Sequence, residues 1–221
     1  MFKKIISYLF PINIYTKTSS ISKTIEVTLH NGELVLDANS VNYSYGSLQR
    51  ALRVGLKQIG FERIQDMNDI LVLGVAGGSV IKTLVDEIGY KGQIKGVELD
   101  PEIIAVAHRY FGLDNISTLE IVIADAKEFV QKETQTYDLI IIDVFEDHVM
   151  PGFLFQHAFA DKVLDLLLPH GSILFNTLNN SSEDQQRNEV YKELFDLSQV
   201  KITTLTGIEG QNELLVISKK S

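Results

Sequence analysis

Three carboxylates stand at the ends of strand-like segments: Glu98 closes Ile94 to Val97, Asp125 follows Leu119 to Ile123, and Asp143 follows Leu139-Ile140-Ile141-Ile142. In an open parallel sheet the C-terminal ends of the strands face one crevice, so three such acids would converge there. A glycine loop, Gly74-Val75-Ala76-Gly77-Gly78-Ser79, follows another apolar run, Ile70-Leu71-Val72-Leu73. Gly74, Ala76, Gly77 and Gly78 let the backbone turn sharply and approach a ligand, and a helix starting near Ser79 points its free amides at the same place. Glu98 lies about twenty residues beyond the loop, where a carboxylate can take both hydroxyls of a ribose. The dinucleotide form of this loop wants glycine at its third and sixth positions, which are Ala76 and Ser79 here, so the loop alone is equally a tight turn. Loop, spacing and acid together point to a nucleoside ligand. Asp125 also precedes a helix and reads equally as its N-cap. Asp143 enters an irregular loop, the usual setting of a functional side chain.

Elements that would position these groups follow from the apolar spacing. Val80, Ile81, Leu84, Val85 and Ile88 recur at helical period until Gly89, which makes residues 70–98 a strand, turn, helix and strand crossover. Pro101 opens a helix that Gly112 stops, and strands follow at residues 119–123, 137–142 and 172–178, the last after a turn at Pro169-His170-Gly171. Residues 200–205 and 213–218 form two strands joined by a turn, so the final strand runs antiparallel to its neighbour. Before the loop, Ile25, Val27 and Leu29 alternate, then Asn31-Gly32, then Leu34 and Leu36, a β-hairpin. A helix over residues 48–56 leads into the crossover. The expected division is residues 1–45, an N-terminal segment with the hairpin, and residues 46–221, a nucleoside-binding α/β domain.

With 221 residues and 45% hydrophobic content, one sizeable core is expected. A formal charge of -9 argues against a nucleic-acid surface and suits a small cationic substrate. There is no Cys, which excludes disulfides and thiolate catalysis and agrees with a cytoplasmic setting. The five histidines are scattered, and no metal is expected. The opening Met1 to Pro11 has lysines before an apolar run, but the run is short, Pro11 interrupts it and no cleavage pattern follows. It reads as an amphipathic segment packing on the domain or on a partner chain, with a homodimer left open, and no apolar stretch reaches membrane-spanning length.

The order of hairpin, helix, glycine loop, Val97-Glu98-Leu99-Asp100, Ala124-Asp125-Ala126 and Tyr137-Asp138-Leu139-Ile140-Ile141-Ile142-Asp143 resembles the spermidine synthase (polyamine aminopropyltransferase) family. The resemblance covers roughly residues 24–218. It implies the class I methyltransferase fold, a Rossmann-like sheet of seven strands with the last antiparallel. It also implies a sulfonium nucleoside donor, either decarboxylated S-adenosylmethionine or S-adenosylmethionine. In that resemblance Gly74, Ala76, Gly77, Gly78 and Ala126 lie against the donor, Glu98 meets its ribose, Asp125 its adenine amino group, and Asp143 stands beside the attacking amine. The chemistry suits the residue types. An amine displacing a thioether must be held in line and freed of a proton, although its pKa is near 10, and a carboxylate can do both.

The chain departs from the family at three places. Gly77 stands where the family has Asp, Asp143-Val144-Phe145-Glu146-Asp147 replaces Asp-Ser-Ser-Asp-Pro, and Tyr45-Gly46 replaces Tyr-Gln. Glu146 could substitute for the second loop acid, and Tyr43, Tyr45 and Gln49 could line the acceptor side. Loss of the acid at Gly77 removes a like-charge repulsion, so S-adenosylmethionine and its decarboxylated form should bind within about tenfold of each other. The first reading is an aminopropyl transferase acting on an amine in polyamine biosynthesis. An S-adenosylmethionine-dependent methyltransferase is the second reading, and a catalytically silent nucleoside-binding protein the third.

Overall fold

The structure, a computed structural model, describes residues 2–38, 41–146, 149–210 and 212–220, apart from the side chains of residues 41–43. After a short helix α1 (Phe2–Ile6), four strands, β1 (Ile12–Ser19), β2 (Lys23–His30), β3 (Glu33–Ala38) and β4 (Val41–Ser44), pair in sequence order as an antiparallel sheet. The expected hairpin is β2 and β3, with Asn31 at φ 51 and Gly32 at φ 80 making the turn. Sequence spacing missed β1 and β4, so the N-terminal unit is a four-stranded sheet rather than a lone hairpin. Ile25, Val27 and Leu36 on its inner face pack against Ile103, Val106 and Phe111 of α5 (Pro101–Phe111).

The opening segment is anchored by polar contacts rather than by its apolar side chains. Buried Ser7 accepts from Asn31 N through its carbonyl at 2.9 Å and from Gly32 N through its hydroxyl at 3.0 Å. Phe2, Ile5, Leu9 and Phe10 remain exposed.

Beyond β4 come α2 (Gly46–Ile59), α3 (Phe61–Gln65), β5 (Asp69–Leu73), α4 (Ser79–Lys82), β6 (Gln93–Glu98), α5, β7 (Leu119–Ile123), α6 (Ala126–Lys132) and β8 (Tyr137–Ile142). Then follow α7 (His157–Asp165), β9 (Leu167–Leu178), α8 (Ser182–Glu193), β10 (Val200–Ile208) and β11 (Asn212–Lys219). The second sheet has seven strands in the order β10-β11-β9-β8-β5-β6-β7, with β11 antiparallel to both neighbours. This is the α/β class I methyltransferase-like arrangement expected, last strand included. Central β5 from Ile70 and β8 from Leu139 are apolar on both faces and buried, because helices lie on either side. Leu52 and Leu56 of α2 with Ile81 of α4 cover one face, and Val130 of α6, Val163 of α7 and Tyr191 of α8 cover the other.

Two local differences matter. The helix after the glycine loop is α-helical only to Lys82 and continues as a π-turn from Thr83 to Ile88, ended by Gly89 at φ 78. Strand β9 begins at Leu167, ahead of the expected turn at residues 169–171, because its pairing with β8 shifts between Tyr137 and Leu139 and absorbs those residues as an irregularity.

Gly74 is required twice over. Its φ is 87, and a Cβ there would stand 2.1 Å from the carbonyl oxygen of Asp143, which is backbone and cannot swing aside. Gly112 also has positive φ, but its nearest obstacle is the Asn115 amide at 3.1 Å. Replacing Gly112 with Ala should therefore cost about 1 to 2 kcal/mol, the left-handed term alone. Gly74→Ala adds overpacking to that term and should cost about 3 kcal/mol or more. Urea midpoints at equal slope compare the two; equal losses would mean that the loop and β8 do not approach so closely.

Candidate active site

The crevice at the C-terminal ends of β5, β6 and β8 is built around the carboxylate of Glu98. Its Oε2 accepts from Val75 N at 3.2 Å and Ala76 N at 3.0 Å, and its Oε1 from Leu99 N at 2.9 Å and Asp100 N at 3.1 Å. One side chain thus holds the glycine loop and the entry to α5 in fixed relation. Burial pushes the Glu98 carboxyl above its usual range, against the pull of those four amides. The loop amides expected to face a ligand are in part spent here. Ala76 sits at φ 47, a left-handed conformation rare for a residue with a Cβ, and Gly78 at φ 78.

The N-terminus of α4 is also engaged. Ser44 Oγ accepts from Ser79 N at 3.1 Å, and both residues are buried. The same serine explains Gly77: a Cβ there would meet Ser44 Cβ at 2.9 Å, Ser44 Oγ at 3.1 Å and the Tyr45 ring at 3.2 Å. The place where a side chain would start is filled by the β4 to α2 junction, so packing favours glycine at this position.

Asp143 follows β8 directly, and its amide continues the ladder by donating to Leu73 O at 2.9 Å. Its Oδ1 accepts from Asn176 Nδ2 at 2.8 Å, and Asn176 Oδ1 accepts from Asn212 Nδ2 at 2.8 Å. Burial raises the Asp143 carboxyl to about 6, with the Asn176 bond opposing and the nearby Glu98 charge adding to the rise. A carboxyl poised there is ionised at neutral pH and basic enough to take a proton.

Asp125 caps α6, its Oδ1 accepting from Lys127 N at 2.8 Å and Glu128 N at 3.1 Å, and Ala126 is buried beneath it. The capping reading is therefore realised, and it leaves a ligand role open, since both bonds fall on one oxygen. Ala124, the residue before Asp125, donates its amide to Glu98 O at 3.0 Å, so the ends of β6 and β7 lie side by side. Tyr45 stacks on Phe111 with centroids 4.6 Å apart, at φ 72, and its edge faces Gly77. Burial raises its hydroxyl pKa. Gln49 turns away to Thr83, donating to Oγ1 at 3.2 Å, and so ties α2 to the π-turn. Glu146 is exposed on the loop after Asp143, its backbone paired with Val149. The Tyr43 side chain and Asp147 lie outside the described residues. Glu98, Asp143 and the glycine loop are thus gathered at one place with Tyr45 over the loop, whereas Gln49 and Glu146 make other contacts.

Sequence reasoning passed over Ser44, Asn176 and Asn212. The available signal was Asn176 itself, a polar residue ending the apolar run Ile173-Leu174-Phe175. Among the described residues no group of acids and histidines could hold a metal ion, and no helix is long and apolar enough to cross a membrane.

A family model for the spermine/spermidine synthase domain matches residues 54–205. The polyamine aminopropyltransferase of Vibrio vulnificus is 28% identical over 129 residues, which are 57% of this chain and 43% of that protein. This chain therefore spans less than half of that relative. A spermidine synthase in complex with the transition state analogue AdoDATO superposes with TM-score 0.69 at 17% identity, over 95% of this chain and 72% of the other. Human methyltransferase-like protein 13 in complex with SAH gives 0.64 at 22% identity, over 80% and 83%. These two structures support the fold, and the match over residues 54–205 supports more than the fold: the chain belongs to the spermine/spermidine synthase family.

Proposed function

We propose that the chain transfers an aminopropyl group from decarboxylated S-adenosylmethionine to a small amine. The observation that carries this reading is Asp143, a carboxylate raised to about 6 and held at the mouth of the glycine loop. In the reaction the amine nitrogen forms a bond to the sulfonium-bound carbon, the carbon–sulfur bond breaks, and the thioether leaves neutral. The nitrogen must lose a proton, and in this reading Asp143 accepts it, a role supported by its raised carboxyl. Glu98 and Asp125 would receive ribose and adenine, a role supported by their positions at adjacent strand ends and by the AdoDATO and SAH ligands of the structural neighbours. Because Glu98 already binds four amides, a ribose hydroxyl would share its oxygens rather than find them empty. The chain's net negative charge suits a cationic acceptor.

A second reading, methyl transfer from S-adenosylmethionine, is supported by Gly77. With no acid beside the donor tail, a carboxylated tail meets less repulsion. The methyltransferase-like neighbour supports the same reading. Incubating the protein with each donor and a panel of amines, then looking for methylthioadenosine or S-adenosylhomocysteine by mass spectrometry, separates the two. Neither product would leave a nucleoside-binding protein without turnover.

Asp143→Asn should keep donor affinity and lose turnover by about a hundredfold to ten-thousandfold. In the wild type the base must be ionised, so kcat/KM should rise with pH through about 6 and that limb should vanish in the variant. A wild-type rate in the Asn variant would make Asp143 a structural loop residue. Glu98→Ala should weaken donor binding by about 1 to 3 kcal/mol and also lower thermal stability, since four amides lose their acceptor. Calorimetry together with a melting curve reads both, and unchanged values in either would detach Glu98 from that task. Gly77→Ala, which tests space without charge, should cost about 1 to 3 kcal/mol of stability. Gly77→Asp therefore reports donor choice only after that cost is subtracted by denaturant titration.

A further inference from the structure

We propose that Asn176 and Asn212 form a two-amide relay that positions Asp143, holding its Oδ1 by a directed donor and leaving Oδ2 to face the acceptor. The inference deepens the proposed function and rests on reading Asp143 as the group that takes the proton. Neither asparagine touches the reacting atoms in this account; both are positioning residues.

The direction of the relay follows from the bonding. A side-chain amide can present either its oxygen or its nitrogen to a neighbour, and an ionised carboxylate accepts only. Asn212 Nδ2 donates to Asn176 Oδ1, so the oxygen of Asn176 is committed to β11 and its nitrogen is turned to Asp143. Both bonds are 2.8 Å. Backbone register brings the two amides together: Asn176 pairs with Leu214 and Asn212 with Leu178, so the asparagines sit diagonally on one face across β9 and β11. Asn176 is completely buried. A buried amide costs desolvation unless it is bonded, and the same strand carries Leu174 on the same face, so an apolar side chain would serve packing alone. The relay gives the polar residue a reason to be there.

Among the described residues, Asn176 is the one side-chain donor to the Asp143 carboxylate. Glu98 at the end of β6 faces it as a like charge. Among the described residues, β9 and β11 bring it neutral amides, and β5 brings the backbone carbonyl of Leu73 and the close approach of Gly74. Asn176 supplies the hydrogen bond that favours the ionised form, and among the described residues no hydrogen bond reaches Oδ2. Burial and Glu98 both act in the opposite sense.

The test is a carboxyl-carbon NMR titration of aspartate-labelled full-length protein, with the Asp143 signal assigned by its loss in Asp143→Asn. Asn176→Leu should move the Asp143 midpoint upward by about one to two pH units, the scale of one lost hydrogen bond to a charge. Asn212→Leu, at the partly exposed start of β11, should move it the same way by less, because Asn176 then keeps its bond only for part of the time. Asn212→Leu also serves as the folded variant should Asn176→Leu fail to fold. The relay is overturned if the midpoint stays at its wild-type value in whichever of these variants folds. Calorimetry with S-adenosylmethionine should give affinities within about twofold of wild type in both, since the relay does not meet the donor; a larger loss assigns the asparagines to donor binding instead. Failure of the functional reading shows elsewhere, as undiminished turnover in Asp143→Asn, and leaves the titration result standing.

Discussion

Four backbone amides converge on the Glu98 carboxylate, and the geometry of the crevice depends on that convergence. Two amides belong to the loop after β5 and two to the turn into α5, so a single ion fixes the distance between adjacent strand ends. Charged hydrogen bonds of this kind are each worth about 1.5 to 3 kcal/mol, which is enough to hold Ala76 in a left-handed conformation its Cβ disfavours. The four bonds offset part of the burial cost of the carboxylate, and burial still leaves its carboxyl above the usual range. A ligand entering the crevice therefore meets a loop already shaped, and less of its binding free energy is lost to ordering.

The N-terminal sheet is part of the same construction. Asp100, two residues after Glu98, caps α5 through Glu102 N at 2.9 Å and reaches back to Ser19 Oγ at 2.5 Å and Ser22 N at 3.1 Å. Burial would raise its carboxyl, but the bonds from Ser19, Ser22 and Glu102 bring it below the usual range. Ser44 at the end of β4 closes the N-terminus of α4, and Tyr45 stacks on Phe111 of α5. The small sheet thus forms one wall of the site, touching both the glycine loop and the helix after β6. At Gly77 a side chain would have to displace Ser44 and so disturb the cap it gives α4.

Two acids with different surroundings divide the work of the crevice. Glu98 accepts four hydrogen bonds and acts as a rigid anchor, whereas the Asp143 carboxylate accepts one among the described residues and has burial and a like charge acting on it, which together set it at about 6. Environment, and not residue type, separates the anchor from the candidate base.

Much of this was legible in the chain itself. The apolar runs at residues 70–73 and 139–142, the glycines between strand and helix, and an acid at each strand end are local features, and local periodicity specifies strands and turns without knowledge of their partners. The individual strands and the antiparallel run of the last one followed from the same reading, the seven-stranded sheet was implied by the family resemblance, and the order of the strands came only with the structure. Strand β1 was hidden because its alternation is broken by a bulge between Asn13 and Tyr15. Contacts between side chains far apart in sequence were decided only by tertiary structure. Ser44 meets Ser79 across 35 residues, Asn176 meets Asp143 across 33, and Asn212 meets Asn176 across 36. Each depends on which strands become neighbours and on their register, and a shift of one residue would turn the side chain to the other face. Spacing along the chain carries no record of that choice, so the acids could be named from sequence while the amides and the serine that hold their surroundings could not.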